Sequence, residues 1–188
     1  MNLIGKPAPE FTATAIVDGQ VVRDFSLASY RDRYVVLFFY PEDFTGVCGS
    51  EVHAFQARLA DFEAREAVVI GCSTDSAERH GQFLRTSADE GGAEGVTYPL
   101  IADLDRRVAH RFGTLNGPID SNKDRIEEGA TGPLCQRGTF IIDKGGVVWF
   151  QSYHFMPIGR DIDGVIRELD AIRRLQIDGQ VCMPNWKG

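Results

Sequence analysis

The sequence predicts an α/β layered domain in which a central mixed sheet carries helices on both faces. Three observations carry this expectation. Short runs of apolar β-branched and aromatic residues alternate with helical apolar patterns, a glycine-rich turn joins two of those runs, and the last regular stretch repeats at spacings of three and four. Residues 35–40 are an unbroken apolar run, the mark of a strand buried on both faces. After Pro41 the positions Val52, Phe55, Leu59 and Phe62 recur at helical spacing, predicting a helix over 47–65. Strands are expected at 68–74 and 99–102, followed by helices at 76–88 and 105–112. A hairpin of strands 139–143 and 147–152 turns across Lys144-Gly145-Gly146. Ile162, Val165, Ile166, Leu169, Ile172 and Leu175 lay down the stripe of a final amphipathic helix.

At 188 residues the chain suits one hydrophobic core. A net charge of −7 without a Lys/Arg block argues against nucleic acid or an anionic membrane surface as partner. The N-terminus carries no signal-peptide pattern and no stretch is long and apolar enough to span a bilayer, so the expected location is cytoplasmic. Cys48, Cys72, Cys135 and Cys182 are too sparse for a disulfide scaffold and contain no Cys-x-x-Cys. His53, His80, His110 and His154 lack metal-ligand spacing, so no metal site is expected.

Cys48 stands out. It follows a strand that breaks at Pro41, with Thr45 before it and a helix start around it. A helix N-terminus and a nearby cation can pull a thiol from about 8.5 to roughly 3.5–7.5. The ordinary reading of an unpaired cysteine is a small core residue. Gly46, Gly49 and Ser50 weigh against that, because they pack a core poorly and let a small substrate approach the backbone. Cys48 is therefore expected on the buried stripe but at its exposed end, beside a pocket.

The spacing of Pro41, Thr45 and Cys48 resembles the active-site signature of the peroxiredoxins. Further runs follow in that family's order: Gly5-Lys6-Pro7-Ala8-Pro9-Glu10-Phe11, Ser73-Thr74-Asp75-Ser76 with His80, Pro99-Leu100-Ile101-Ala102-Asp103, Arg137-Gly138-Thr139-Phe140-Ile141-Ile142-Asp143, Pro157-Ile158-Gly159-Arg160 and Val181-Cys182-Met183-Pro184-Asn185-Trp186. The chain thus resembles the typical two-cysteine class, which includes the bacterial alkyl hydroperoxide reductase C proteins. The resemblance implies a thioredoxin-like fold with an N-terminal extension, a domain over 1–170 and a C-terminal segment over 171–188 that carries the resolving cysteine. Residues 113–136 read as a loop several residues longer than usual in the family, a length that a surface loop accepts at little entropic cost.

Residue by residue, the resemblance makes Cys48 the peroxidatic nucleophile, gives Thr45 a hydrogen bond to the substrate, has Pro41 shield the thiolate and makes Arg137 the cation. Taken singly, Thr45 would cap a helix, Pro41 would end a strand and Arg137 would form a surface ion pair. Glu51, one helical turn after Cys48, is positioned to hold Arg137. Cys182 is implied to attack the sulfenic acid on the partner subunit's Cys48, giving an intersubunit disulfide and at least a homodimer, with a decameric ring as the family's assembly. A hydroperoxide is the implied substrate, and thioredoxin or a flavoprotein disulfide reductase the electron donor. No haem, flavin or metal cofactor is needed, because the thiol carries the redox chemistry. Cys72 reads as inert core, and Cys135, in a loop near Arg137, as a weaker candidate for a second reactive thiol. Gly49 and Ser50 stand where the family usually has proline and threonine, which predicts a looser first helical turn. The rival readings are a general thiol–disulfide oxidoreductase, disfavoured by the missing Cys-x-x-Cys, and an oligomeric redox-switched holdase or peroxide-signalling protein.

Overall fold

The computed structural model describes residues 1–116 and 133–186. Among these, seven strands form one mixed sheet in the order β2-β1-β5-β4-β3-β6-β7. The strands are β1 (Ala13–Val17), β2 (Gln20–Phe25), β3 (Tyr34–Phe39), β4 (Ala67–Ser73), β5 (Leu100–Ala102), β6 (Arg137–Ile142) and β7 (Val148–His154). β3 lies parallel to β4 and antiparallel to β6, so it is paired on both sides. Its alternation divides the core: Tyr34, Val36 and Phe38 face one cluster, Val35, Leu37 and Phe39 the other.

The first cluster is covered by α1 (Gly46–Ala57), α2 (Leu59–Glu63) and α5 (Ile162–Asp178), with Phe83 of α3 (Ala77–Phe83) at its edge. The second packs under α4 (Arg107–Phe112) and the N-terminal residues Leu3 and Phe11. Helices therefore lie on both faces, as expected. The α5 stripe is buried as the spacing predicts, and the helix stops at Gly179 in the left-handed conformation (φ 67°). α5 runs unbroken across position 170, where the domain was expected to give way to its C-terminal segment.

Four elements differ from expectation. The helix expected over 47–65 breaks at Arg58 (φ −108°, ψ 11°), whose guanidinium turns to Asp61 and to Asp163 on α5. No Gly or Pro announces that break. The helix expected over 76–88 ends at Phe83, and the remainder is a short 3-10 turn over Ala88–Glu90 closed by Gly91 (φ 81°). The N-terminal extension contains a full hairpin, β1–β2, whose turn residues Asp18 and Gly19 both have positive φ (50° and 74°). Arg137, expected just before a strand, is the first residue of β6.

The long loop lies largely outside the described residues. Its base is pinched by an antiparallel bridge between Leu115 and Cys135, with Asn116 N donating to Leu134 O at 3.0 Å and Gln136 N to Thr114 O at 2.7 Å.

Candidate active site

The connection from β3 into α1 supplies the central residues, and a buried polar network fixes its path. The Tyr40 hydroxyl donates to Asp43 Oδ1 at 2.8 Å, and the Asp43 backbone N–H donates to Asp75 Oδ2 at 2.8 Å. Phe44 takes a left-handed conformation (φ 59°), which costs energy in a residue with a Cβ, and its ring packs on Phe83 and under the Arg79 guanidinium. Pro41 is buried at the start of this turn.

Thr45 occupies the N-cap position of α1, yet its side chain makes no cap hydrogen bond; the hydroxyl instead donates to Glu42 O at 3.1 Å. It is exposed, and its oxygen lone pairs remain open to a donor. The capping role weighed from sequence is thus not what the side chain does.

Cys48 is the third residue of α1 and only 1% exposed. The expectation of an exposed end beside a pocket needs correction: the sulfur points inward on the Val52–Phe55 stripe, just beneath the exposed residues Thr45, Gly46, Val47 and Ser50. Arg137 Nη1 lies 3.4 Å from Cys48 Sγ. The same nitrogen donates to Glu51 Oε2 at 2.6 Å, and Arg137 Nε donates to the Met156 carbonyl at 2.6 Å. Both charged groups are buried, so their attraction is little screened by solvent.

Arg160, within the Pro157-Ile158-Gly159-Arg160 run, carries no expected role from sequence. It completes this cluster from the β7–α5 connection. Its backbone N–H donates to Glu51 Oε1 at 2.9 Å, Nη2 stands 3.6 Å from Glu51 Oε2 and donates to the Phe39 carbonyl, and the guanidinium lies 5.2 Å above the Phe38 ring. Nε and Nη1 are buried without a hydrogen-bond partner. Burial pulls its pKa down to about 10, with Arg137 adding to the shift and Glu51 opposing it, so it remains a cation at neutral pH. One carboxylate therefore clamps two guanidiniums beside one sulfur. Such an arrangement stabilises a thiolate and offers donors to charge developing on a small substrate.

Cys182 is not brought to Cys48 within the chain. Its half-buried sulfur packs 3.9 Å from Ala171 O on α5, and Trp186 lies under Arg174 at 5.6 Å, so the C-terminal segment is docked rather than frayed. Cys72 and Cys135 are fully buried, and burial together with Asp103 pushes both thiols well above their ordinary range. The weaker reading of Cys135 as reactive fails on that account. Among the described residues no group of three or more His, Cys, Asp or Glu side chains could hold a metal ion, and no helix is long and apolar enough to cross a membrane.

Residues 4–151 match the AhpC/TSA family. The chain is 39% identical over 185 residues to a thioredoxin peroxidase of Echinococcus granulosus, covering 98% of this chain and 89% of that protein. It is 40% identical over 184 residues to peroxiredoxin-2 of Macaca fascicularis, covering 98% and 86%. Among solved structures it is similar to the reduced 2-Cys peroxiredoxin of Plasmodium vivax, with TM-score 0.86 at 29% identity over 99% of this chain and 90% of that one.

Proposed function

Because the chain belongs to the AhpC/TSA family and is a thiol-dependent peroxidase of the typical two-cysteine peroxiredoxin class with a thioredoxin-like fold, we propose that Cys48 is its peroxidatic nucleophile and Cys182 its resolving thiol. The observation that carries the assignment is the Arg137 guanidinium 3.4 Å from the Cys48 sulfur, anchored by Glu51 at 2.6 Å.

In this reading the Cys48 thiolate attacks one peroxide oxygen. The S–O bond forms as the O–O bond breaks, and the leaving oxygen departs with a proton as water or an alcohol. Arg137 stabilises the thiolate and then the charge on the oxygens, Thr45 hydrogen-bonds the substrate, Pro41 keeps bulk water from the sulfur, and Glu51 holds both arginines. Arg160 joins the donors, because its two unpartnered nitrogens, Nε and Nη1, lie in the same buried cluster. The sulfenic acid then condenses with Cys182 of the partner subunit, releasing water and forming the disulfide. A dithiol reductase returns two electrons per cycle. Thioredoxin fits that role, supported by the name of the Echinococcus granulosus relative, with a flavoprotein disulfide reductase as the alternative. A homodimer and its decameric ring are what the family resemblance implies, supported by Cys182 packing against α5 rather than beside Cys48, and the cytoplasmic location stays the one expected from sequence. The proposed division is a peroxidase domain over 1–170 and a segment over 171–188 that presents Cys182, the two joined within α5.

The test is peroxide consumption together with non-reducing gels. Cys48→Ser should abolish consumption, and Cys182→Ser should permit one turnover and then stall. Covalent dimers should require both thiols. Peroxide-treated wild type running wholly as monomer would overturn the intersubunit assignment, and undiminished consumption by Cys48→Ser would overturn the nucleophile.

A further inference from the structure

α3 brings His80 to the back of the active-site turn. The imidazole is fully buried, and both of its nitrogens face acceptors: Nδ1 lies 2.8 Å from Asp43 Oδ2 and Nε2 3.1 Å from the Ile101 carbonyl. A neutral imidazole carries one N–H and can satisfy one of these contacts. The Asp43 carboxylate is itself surrounded by donors, since Oδ1 accepts from the Tyr40 hydroxyl. The other charged group on the far side of the turn, Asp75, accepts from Ser73 Oγ at 2.7 Å and pairs with Arg79 Nε at 2.9 Å. The groups facing His80 are thus Asp43 and Tyr40 from the β3–α1 connection, Asp75 after β4 and the Ile101 carbonyl on β5, with Arg79 of its own helix on the far side of Asp75.

We propose that His80 is held as an imidazolium and acts as a positioning residue for the peroxide step, fixing Asp43 and through it the turn that carries Thr45 and Cys48. The proposal rests on the assignment of Cys48 and Cys182 above. Its logic is a balance of donors and acceptors. With the proton present, every polar atom of Asp43 and His80 has a partner. Once it is lost, either Nδ1 or Nε2 presents a lone pair to an oxygen inside a dry core, which costs about 1–3 kcal/mol per unsatisfied contact. Asp43 lies five residues before Cys48, its carbonyl accepts from Arg79 Nη2 at 3.3 Å, and Phe44 next to it is already strained, so a slackened Asp43 moves the turn. Burial alone would favour the neutral ring, yet Asp43 and Asp75 raise the net pKa, in the direction this geometry requires.

The experiment uses the full-length reduced protein. Nitrogen-edited NMR at pH 7 should find both His80 ring nitrogens protonated; a neutral tautomer overturns the proposal and needs no variant that must fold. Stopped-flow oxidation by hydrogen peroxide then separates positioning from mere stability. His80→Gln should oxidise Cys48 at least tenfold more slowly while forming the Cys48–Cys182 disulfide no more slowly than wild type. The wild-type oxidation rate should also fall on an alkaline limb at the pH where the His80 signals titrate, and His80→Gln should lack that limb. An oxidation rate within threefold of wild type, or a limb that persists in His80→Gln, overturns the positioning role. Cys48→Ser run alongside distinguishes this from failure of the nucleophile assignment, because only the latter leaves peroxide consumption intact.

Discussion

Replacing Arg137 by leucine removes a cation 3.4 Å from the Cys48 sulfur, the proposed nucleophile, while leaving apolar bulk in its place. At that distance a unit charge is worth about 5 kcal/mol to a thiolate at an effective dielectric of about 20. Arg160 stays in the cluster and offsets part of the loss, so the net effect should match the removal of one preorganised donor, about 2.7–4 kcal/mol, or a 10²- to 10³-fold slower reaction. The same change leaves the buried Glu51 carboxylate with one cation instead of two. Breaking a buried pair costs about 3–5 kcal/mol. The retained Arg160 contacts favour about 3 kcal/mol, which in a domain of this size lowers the melting temperature by about 6–12 °C. Stopped-flow oxidation by hydrogen peroxide and alkylation of Cys48 by iodoacetamide read the first effect, and calorimetry reads the second. If melting falls as described while both rates stay within threefold of wild type, Arg137 is a structural ion-pair partner and the catalytic reasoning is refuted.

Two further outcomes are expected. Gly49 sits in the first turns of α1 with its N–H bonded to Thr45 O at 2.8 Å, and an added Cβ would meet nothing nearer than Gly91 O at 3.9 Å; Gly49→Ala should therefore stabilise the turn by about 0.5–1 kcal/mol and slow Cys48–Cys182 disulfide formation about two- to fivefold, with more Cys48 sulfinic acid by mass spectrometry at high peroxide. Asp103 accepts from the Val108 and Ala109 amides at the start of α4, yet burial pushes its pKa up to about 7. The folded chain then holds a proton that the unfolded chain has already released above about pH 4, so stability should fall as pH rises from about 4 to about 7. In chemical denaturation the loss between pH 4.5 and pH 7.5 should be smaller in Asp103→Asn, and an unchanged slope would show that Asp103 is ionised throughout.

How much of this was legible in the sequence depended on whether a signal was local. β3 announced itself as an unbroken apolar run, and the Pro41, Thr45 and Cys48 spacing lay within eight residues of one chain segment. The α5 stripe was equally direct. The β1–β2 hairpin carried a readable Asp18-Gly19 turn, but β2 exposes most of its residues and so lacked the buried alternation that marks a strand. Arg58 breaks α1 from α2 through its pairing with Asp61 and with Asp163, a partner on another helix that no local window contains. Arg160 was hidden for the same reason: only the topology, which sets the β7–α5 connection beside α1, brings it to Glu51. Cys48 was placed on the correct helical face yet misjudged in depth, because burial of a first-turn residue depends on what the neighbouring connection lays over it.

The position of β3 in the sheet has a consequence for how the molecule breathes. A strand with ladder partners on both sides exchanges its amide protons only in rare, near-global openings, whereas the first amides of a helix have no intrahelical acceptor and lie at the least protected end of the scale. The segment from Tyr40 to Ser50 spans both regimes in eleven residues. Its entry side is tied to the doubly paired strand through the Tyr40–Asp43–Asp75 contacts, and its exit side opens on the free amides that begin α1. The outward motion of Cys48 that the proposed disulfide requires is therefore expected on the helical side of the turn, with the hinge after Phe44. Pro41 is expected to stay in place while the sulfur is elsewhere, so that a returning thiol meets a half-site that never dispersed. In deuterium labelling the oxidised protein should lose protection from Gly49, the first hydrogen-bonded amide of α1, onward and keep it through Tyr40.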